Sequence, residues 1–190
     1  LDPQTEKEIV TLAECIEPDI SSVSWLETFH NNTIRAASQV YARGAAFFPE
    51  ELQEKISKQY RSYFNQDVVG LLGVFDNTYN YGMVETPPHC DRQRNIAINY
   101  IIKSGGSNVL TCFYHQKRIG TNLNTAENAL YSEVDLNFKI KLSESLWHCF
   151  NAQEYHSVEN IENKRIILSL YLKNNITFGQ FHKAYQNLIL

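Results

Sequence analysis

The stretch Val134-Asp135-Leu136-Asn137-Phe138-Lys139-Ile140-Lys141-Leu142 alternates apolar and polar side chains without a break. A period of two is the signature of an extended strand with one buried face and one wet face, and it excludes a helix over these nine positions. Downstream, Leu146 to Phe150, Tyr155 to Val158 and Arg165 to Leu172 read as further strands, the last two separated by a polar turn from Glu159 to Lys164. Upstream, Val68 to Phe75 is a short apolar run and Arg94 to Ile102 is rich in β-branched and aromatic residues. The turn Ser104-Gly105-Gly106-Ser107-Asn108 then leads into Val109 to Tyr114. About eight short strands with regular turns predict a sandwich, barrel or jelly roll.

Helices flank this β-rich region. Ile9, Leu12, Ala13 and Ile16 recur at helical spacing, and Glu50 to Phe64 follows Pro49 with Leu52, Ile56 and Tyr60 on one stripe. Residues 1–66 are therefore expected to be helical and to pack on one outer face of the strands. Phe178 to Leu190 is expected to form a C-terminal helix with Phe181, Tyr185, Leu188 and Ile189 near one side. The reading is mainly β with flanking helices, and at 190 residues with 43% hydrophobic content one domain over 1–190 suffices.

A net charge of -4 and a pI near 5.9 supply no basic field, so nucleic acid is a poor candidate partner. Folding could still gather a local basic patch, for example from Arg92, Arg94, Lys117 and Arg118. Cys15, Cys90, Cys112 and Cys149 form no CxxC pair and read as reduced thiols of a cytoplasmic protein. No apolar run is long enough to span a bilayer, and Asp2, Glu6 and Glu8 stand where a signal peptide would be basic and then apolar.

The chemistry concentrates around Pro87-Pro88-His89-Cys90-Asp91, where extended chain aims His89 and Asp91 to one side. A third metal ligand must come from elsewhere, and His156, opening a later strand, is the candidate. Two imidazoles and one carboxylate on one face of an octahedron leave three positions open, as an oxygenase requires. Zinc hydrolases use similar ligands, so the triad alone does not name the metal. Arg165 lies nine residues past His156, at the head of an apolar strand with Ile167, Ser169 and Tyr171 on its own face. A guanidinium there is costly to bury unless it meets a carboxylate, which it can bind through two parallel hydrogen bonds.

His89-Cys90-Asp91, then His156, then Arg165 resembles the HxD...H...R signature of the 2-oxoglutarate and iron(II)-dependent oxygenase superfamily, over about Val68 to Leu172. The resemblance implies a double-stranded β-helix, a cupin-like jelly roll, over residues 68–173. His89, Asp91 and His156 would hold Fe(II), and 2-oxoglutarate would chelate that iron while Arg165 holds its far carboxylate. The implied reaction converts the co-substrate to succinate and CO2 and hydroxylates a small molecule or a peptide or protein residue. The run from His89 through Arg94 and Tyr100 to Gly105-Gly106 and Phe113 is similar to the prolyl-hydroxylase-like branch. The Pro-Pro lead and Asp91-Arg92-Gln93-Arg94 are similar to small oxygenases of marine phage and bacterial type. Ile167 stands where some members carry a serine, so a second hydroxyl contact to 2-oxoglutarate must come from elsewhere or be absent.

From strand position, Asn99 and Tyr114 are assigned hydrogen bonds to the co-substrate, and Tyr79 or Tyr81 the mouth of the site. Specificity is expected from Gln116 to Tyr131 and from the helical first third. Two competing readings share the jelly roll: a cupin-like metal protein acting as isomerase, hydrolase or sensor without 2-oxoglutarate, and a metal-free binding module. Arg165 favours the oxygenase, since neither competitor needs a cation there. Among the remaining histidines, His148 is assigned to core packing, His115 to the surface, and His30 and His182 to helices away from the site. Cys90 points opposite to its neighbours and packs behind the site.

Overall fold

The computed structural model describes residues 1–15, 46–75, 86–91, 94–121 and 130–185. Helix α1 (Pro3–Glu14) starts at Asp2, whose carboxylate accepts the Thr5 N–H at 2.9 Å, with Pro3 in the first turn. After β1 (Ala46–Phe47), helix α2 (Glu50–Phe64) ends on Asn65 in the left-handed conformation, φ 48°. Then follow β2 (Val68–Phe75), β3 (Thr86–His89), β4 (Ile96–Lys103), β5 (Leu110–Thr121), β6 (Leu130–Ile140), β7 (Trp147–Asn151), β8 (Tyr155–Glu159), β9 (Arg165–Leu172) and α3 (Phe178–Tyr185).

The strands form two antiparallel sheets, ordered β1-β2-β9-β4-β7 and β3-β8-β5-β6. Apart from the β1–β2 and β5–β6 pairs, strands that are adjacent in sequence, such as β2 and β3 or β8 and β9, lie in opposite sheets. The last two strands, β8 and β9, fill the centre of each sheet. This is the jelly roll expected from the sequence.

Alternation along β9 divides the larger sheet into two chemically distinct faces. Ile166, Leu168 and Leu170 join Ile98, Tyr100 and Ile102 in a cluster with Ile9 and Ala13 of α1, Leu52, Ile56 and Tyr60 of α2, and Phe181 of α3. The helices thus cover the outer face, each buried aliphatic side chain contributing about 1.5–3 kcal/mol. Arg165, Ile167, Ser169 and Tyr171 occupy the opposite face and point into the roll. Among the described residues no helix is long and apolar enough to cross a membrane.

Three expectations change. Within residues 1–66, expected to be helical, Ala46–Phe47 form β1, paired with β2 at the edge of the larger sheet. β6 is a strand, but it lies at the edge of its sheet, and Leu136, Phe138 and Ile140 remain 48%, 48% and 44% exposed. The apolar face read as buried is therefore half open. Gln116 to Tyr131, expected as a loop, begins and ends in a ribbon: β5 and β6 stay paired out to Thr121 and Leu130. The helix expected over 178–190 is formed to Tyr185, and Ile16, Leu188 and Ile189 lie outside the described residues.

Candidate metal centre

β3 carries two prolines and can belong to a sheet only at an edge, which is where it lies. Its last residue, His89, pairs with His156 near the start of β8, so the two imidazoles stand side by side with ring centroids 4.5 Å apart. Asp91 follows two residues later on the same side. Its Oδ1 lies 3.8 Å from His89 Nε2 and 4.0 Å from His156 Nε2. One ligand atom from each of the three residues falls within 4.8 Å of the others, a spacing that can hold a metal ion.

His156 and Asp91 are each supported by neighbouring groups. His156 Nδ1 lies 2.9 Å from the Glu154 carbonyl, so the proton sits on Nδ1 and the Nε2 lone pair faces Asp91. Burial, with the neighbouring His89, pushes His156 down to about 4 against the pull of Asp91, which keeps the imidazole neutral. Burial alone would raise Asp91, but the Arg94 guanidinium and the two histidines outweigh it and hold the carboxyl below its ordinary range. Arg94 Nε donates to Asp91 Oδ2 at 2.7 Å. The Gln153 amide donates to the carbonyls of Asp91 at 2.6 Å and Arg94 at 2.7 Å, and the Asp91 N–H bonds the Ala152 carbonyl at 2.9 Å. The segment carrying Asp91 is thereby strapped to the turn that leads into His156.

Aromatic rings wall His156. Phe150 from the larger sheet meets His156 edge-on at 5.0 Å and Phe113 at 5.2 Å, and Phe113 stacks on Phe138 at 4.9 Å. The register places His89, His156, Phe113 and Phe138 in one row across β3, β8, β5 and β6. That row runs from the ligands to the half-exposed edge.

Arg165 heads β9 on the inward face and is 2% exposed. Its Nη1 donates to the Ser104 carbonyl at 2.8 Å, while its Nε has no hydrogen-bond partner. Burial lowers its pKa to about 10, with Glu144 opposing. Glu144 Oε1 itself accepts from Ser104 N–H and Oγ–H, both at 2.6 Å. Gly105 packs against the base of this arginine at φ 86°, and a Cβ there would fall 2.8 Å from Arg165 Cβ.

Of the two residues assigned to the co-substrate besides Arg165, Asn99 faces the site and Tyr114 does not. The buried Asn99 Oδ1 accepts from Ser169 Oγ at 2.8 Å and Arg94 Nη1 at 3.5 Å. Tyr114 Oη bonds Ser157 Oγ at 2.8 Å, on the face of β5 and β8 opposite Phe113 and His156. Direct neighbours on a strand point to opposite faces, so Tyr114 is removed from the interior. Tyr79, Tyr81 and His30 lie outside the described residues. His148 is half-buried rather than part of the core, and its Nε2 lies 2.8 Å from the Ser143 carbonyl. His115 and His182 are exposed, and the four cysteines are unpaired. Sequence reasoning assigned no role to Gln153 and saw in Arg94 only a basic residue. The signal for Arg94 was its place three residues after a candidate carboxylate ligand, within ion-pair reach.

The chain is a jelly roll whose His89–Asp91–His156 group can hold a metal. No family model matches it, and no curated protein matches it. A solved structure described as "A Structural Element that Modulates Proton-Coupled Electron Transfer in Oxalate Decarboxylase" is similar with 11% identity and a TM-score of 0.30, over 67% of this chain and 30% of that one. This chain spans under a third of that protein's length.

Proposed function

We propose that the protein is an Fe(II)- and 2-oxoglutarate-dependent oxygenase that hydroxylates a small molecule or a peptide or protein residue. The observation that carries this reading is Arg165, a buried cation on the inward face whose Nε lacks a partner. A buried guanidinium with an unused donor carries a desolvation cost that an anion would relieve, and a carboxylate fits its fork. The donor set at the other end, two imidazoles and a carboxylate, suits a divalent iron with open positions.

When bound, iron and 2-oxoglutarate supply dioxygen activation through oxidative decarboxylation to succinate and CO2. The protein's part is placement. His89, Asp91 and His156 would hold the metal, and the Glu154 carbonyl keeps the His156 proton on Nδ1, away from it. Arg165 would bind the far carboxylate of the co-substrate. Asn99 and Ser169 offer polar atoms on the larger sheet, and Phe113 and Phe150 exclude water from one side of His156.

The test is an anaerobic titration of apoprotein with Fe(II), then 2-oxoglutarate, following the visible charge-transfer band of the chelate. The band is expected in wild type, absent in His89→Ala, and shifted to much higher co-substrate in Arg165→Ala. Iron binding without a band in wild type overturns the 2-oxoglutarate role and leaves a cupin-like metal protein. No metal binding overturns the centre altogether.

A further inference from the structure

The Asp91 carboxylate uses its two oxygens differently. Oδ1 faces both imidazoles, at 3.8 Å from His89 Nε2 and 4.0 Å from His156 Nε2. Oδ2 is taken by Arg94 Nε at 2.7 Å. A carboxylate with both oxygens free can chelate a metal through the pair, and rotation about a single torsion is enough to present them.

Arg94 is itself held on several sides. Its guanidinium lies 4.7 Å over the Tyr171 ring, and Nη1 reaches Asn99 Oδ1 at 3.5 Å, an atom already fixed by Ser169. Both Tyr171 and Ser169 stand on β9, in the sheet opposite the histidines. The backbone carbonyls of Asp91 and Arg94 are tied to one amide, that of Gln153. Neither end of the ion pair can swing without breaking contacts to β4, β9 or the turn before β8. An ion pair that served only to stabilise the surface would need no such scaffold, and exposed pairs contribute little.

We propose that Arg94 is a positioning residue that restricts Asp91 to a single metal-facing oxygen, so that the carboxylate occupies one coordination position. The inference rests on the metal-centre reading above and gives it a mechanism: a second Asp91 oxygen on the metal would consume a position that a chelating co-substrate or dioxygen needs. Arg94 touches neither metal nor substrate in this scheme. It acts through Asp91.

The experiment counts water ligands on Mn(II) bound to the otherwise unliganded protein, by line broadening of the Mn(II) resonance in 17O-enriched water. Wild type is expected to carry about three exchangeable waters, the positions left by two histidines and one carboxylate oxygen. Arg94→Met is expected to lose one, and Arg94→Lys, which keeps a cationic donor, to retain the wild-type number. The same count in Arg94→Met as in wild type overturns the clamp while leaving the metal site intact. Failure of wild type to bind Mn(II) instead overturns the metal-centre reading, and the two failures are distinct. If Arg94→Met does not fold, infrared difference spectra of wild type on Mn(II) loading, with 13C-labelled aspartate, decide the matter. Widely split carboxylate stretches mean one-oxygen binding and uphold the clamp, and narrowly split stretches mean two-oxygen binding and overturn it.

Discussion

Replacing Arg165 by Met should separate stability from co-substrate affinity. In the apoprotein the guanidinium is 2% exposed, makes one hydrogen bond to Ser104, and leaves Nε unpartnered. Its pKa is lowered from 12.5 to about 10, which corresponds to about 3 kcal/mol of desolvation cost carried by the folded state. Met removes that cost, fills similar volume, and forfeits a charge-assisted hydrogen bond to a carbonyl worth about 1.5–3 kcal/mol. The opposing effects nearly cancel, so the apoprotein should stay within about 2 kcal/mol of wild type in chemical denaturation. Co-substrate binding has no such compensation. Two charge-assisted bonds to a carboxylate are worth at least about 3 kcal/mol together, so the Kd for 2-oxoglutarate, read from the charge-transfer band, should rise about 100-fold or more. A Kd within about threefold of wild type refutes the argument, as does an apoprotein destabilised by more than about 4 kcal/mol, because Arg165 would then be a structural cation.

Three further outcomes can be checked. Gly105→Ala places a Cβ 2.8 Å from Arg165 Cβ at φ 86°, and should cost about 2 kcal/mol of stability and weaken 2-oxoglutarate binding with the metal site unaffected. The His156 pKa falls from 6.5 to about 4 on folding, so between those values the unfolded chain takes up a proton that the folded chain refuses. Apoprotein stability is present above pH 6.5 and is lost as pH falls toward 4; a melting temperature flat across that window contradicts the burial of a neutral imidazole. Burial pushes the Cys90 and Cys149 thiols up to about 11 and about 12, and Cys112 is fully buried, whereas Cys15 is exposed. Alkylation of the native protein at pH 8 should therefore modify Cys15 first, as read by peptide mass mapping.

The sequence disclosed strands wherever side-chain alternation or β-branched content was strong. β2 and β9 begin and end at the residues expected, Val68 to Phe75 and Arg165 to Leu172. β3 escaped because Thr86-Pro87-Pro88-His89 looks like a strand breaker, and only an edge position makes it acceptable. The period-two pattern of β6 identified an extended segment but not what lay opposite it: on an edge strand Leu136, Phe138 and Ile140 stay half exposed. The grouping of His89, Asp91 and His156, which can hold a metal, was legible because two of the three lie two residues apart on extended chain and the third opens a later strand. Tyr114 was misplaced because the face of a strand depends on register, and Phe113, one residue earlier, takes the inward position. Gln153 could not be found from sequence, since its role comes from two backbone carbonyls about 60 residues away.

The central placement of β8 and β9 dictates an order of assembly. During synthesis every other described strand is available first, yet β2 and β4 cannot be bridged until β9 arrives, nor β3 and β5 until β8 does. A nascent chain ending at Glu154 therefore holds two half-sheets, each with an open edge where its middle strand belongs, and should be readily cleaved by protease. His156 sits on the strand that closes the smaller sheet. Completion of that sheet and completion of the metal centre are thus a single late event, and a metal ion present in the cell would favour closure at the step where the chain is most exposed to misassembly.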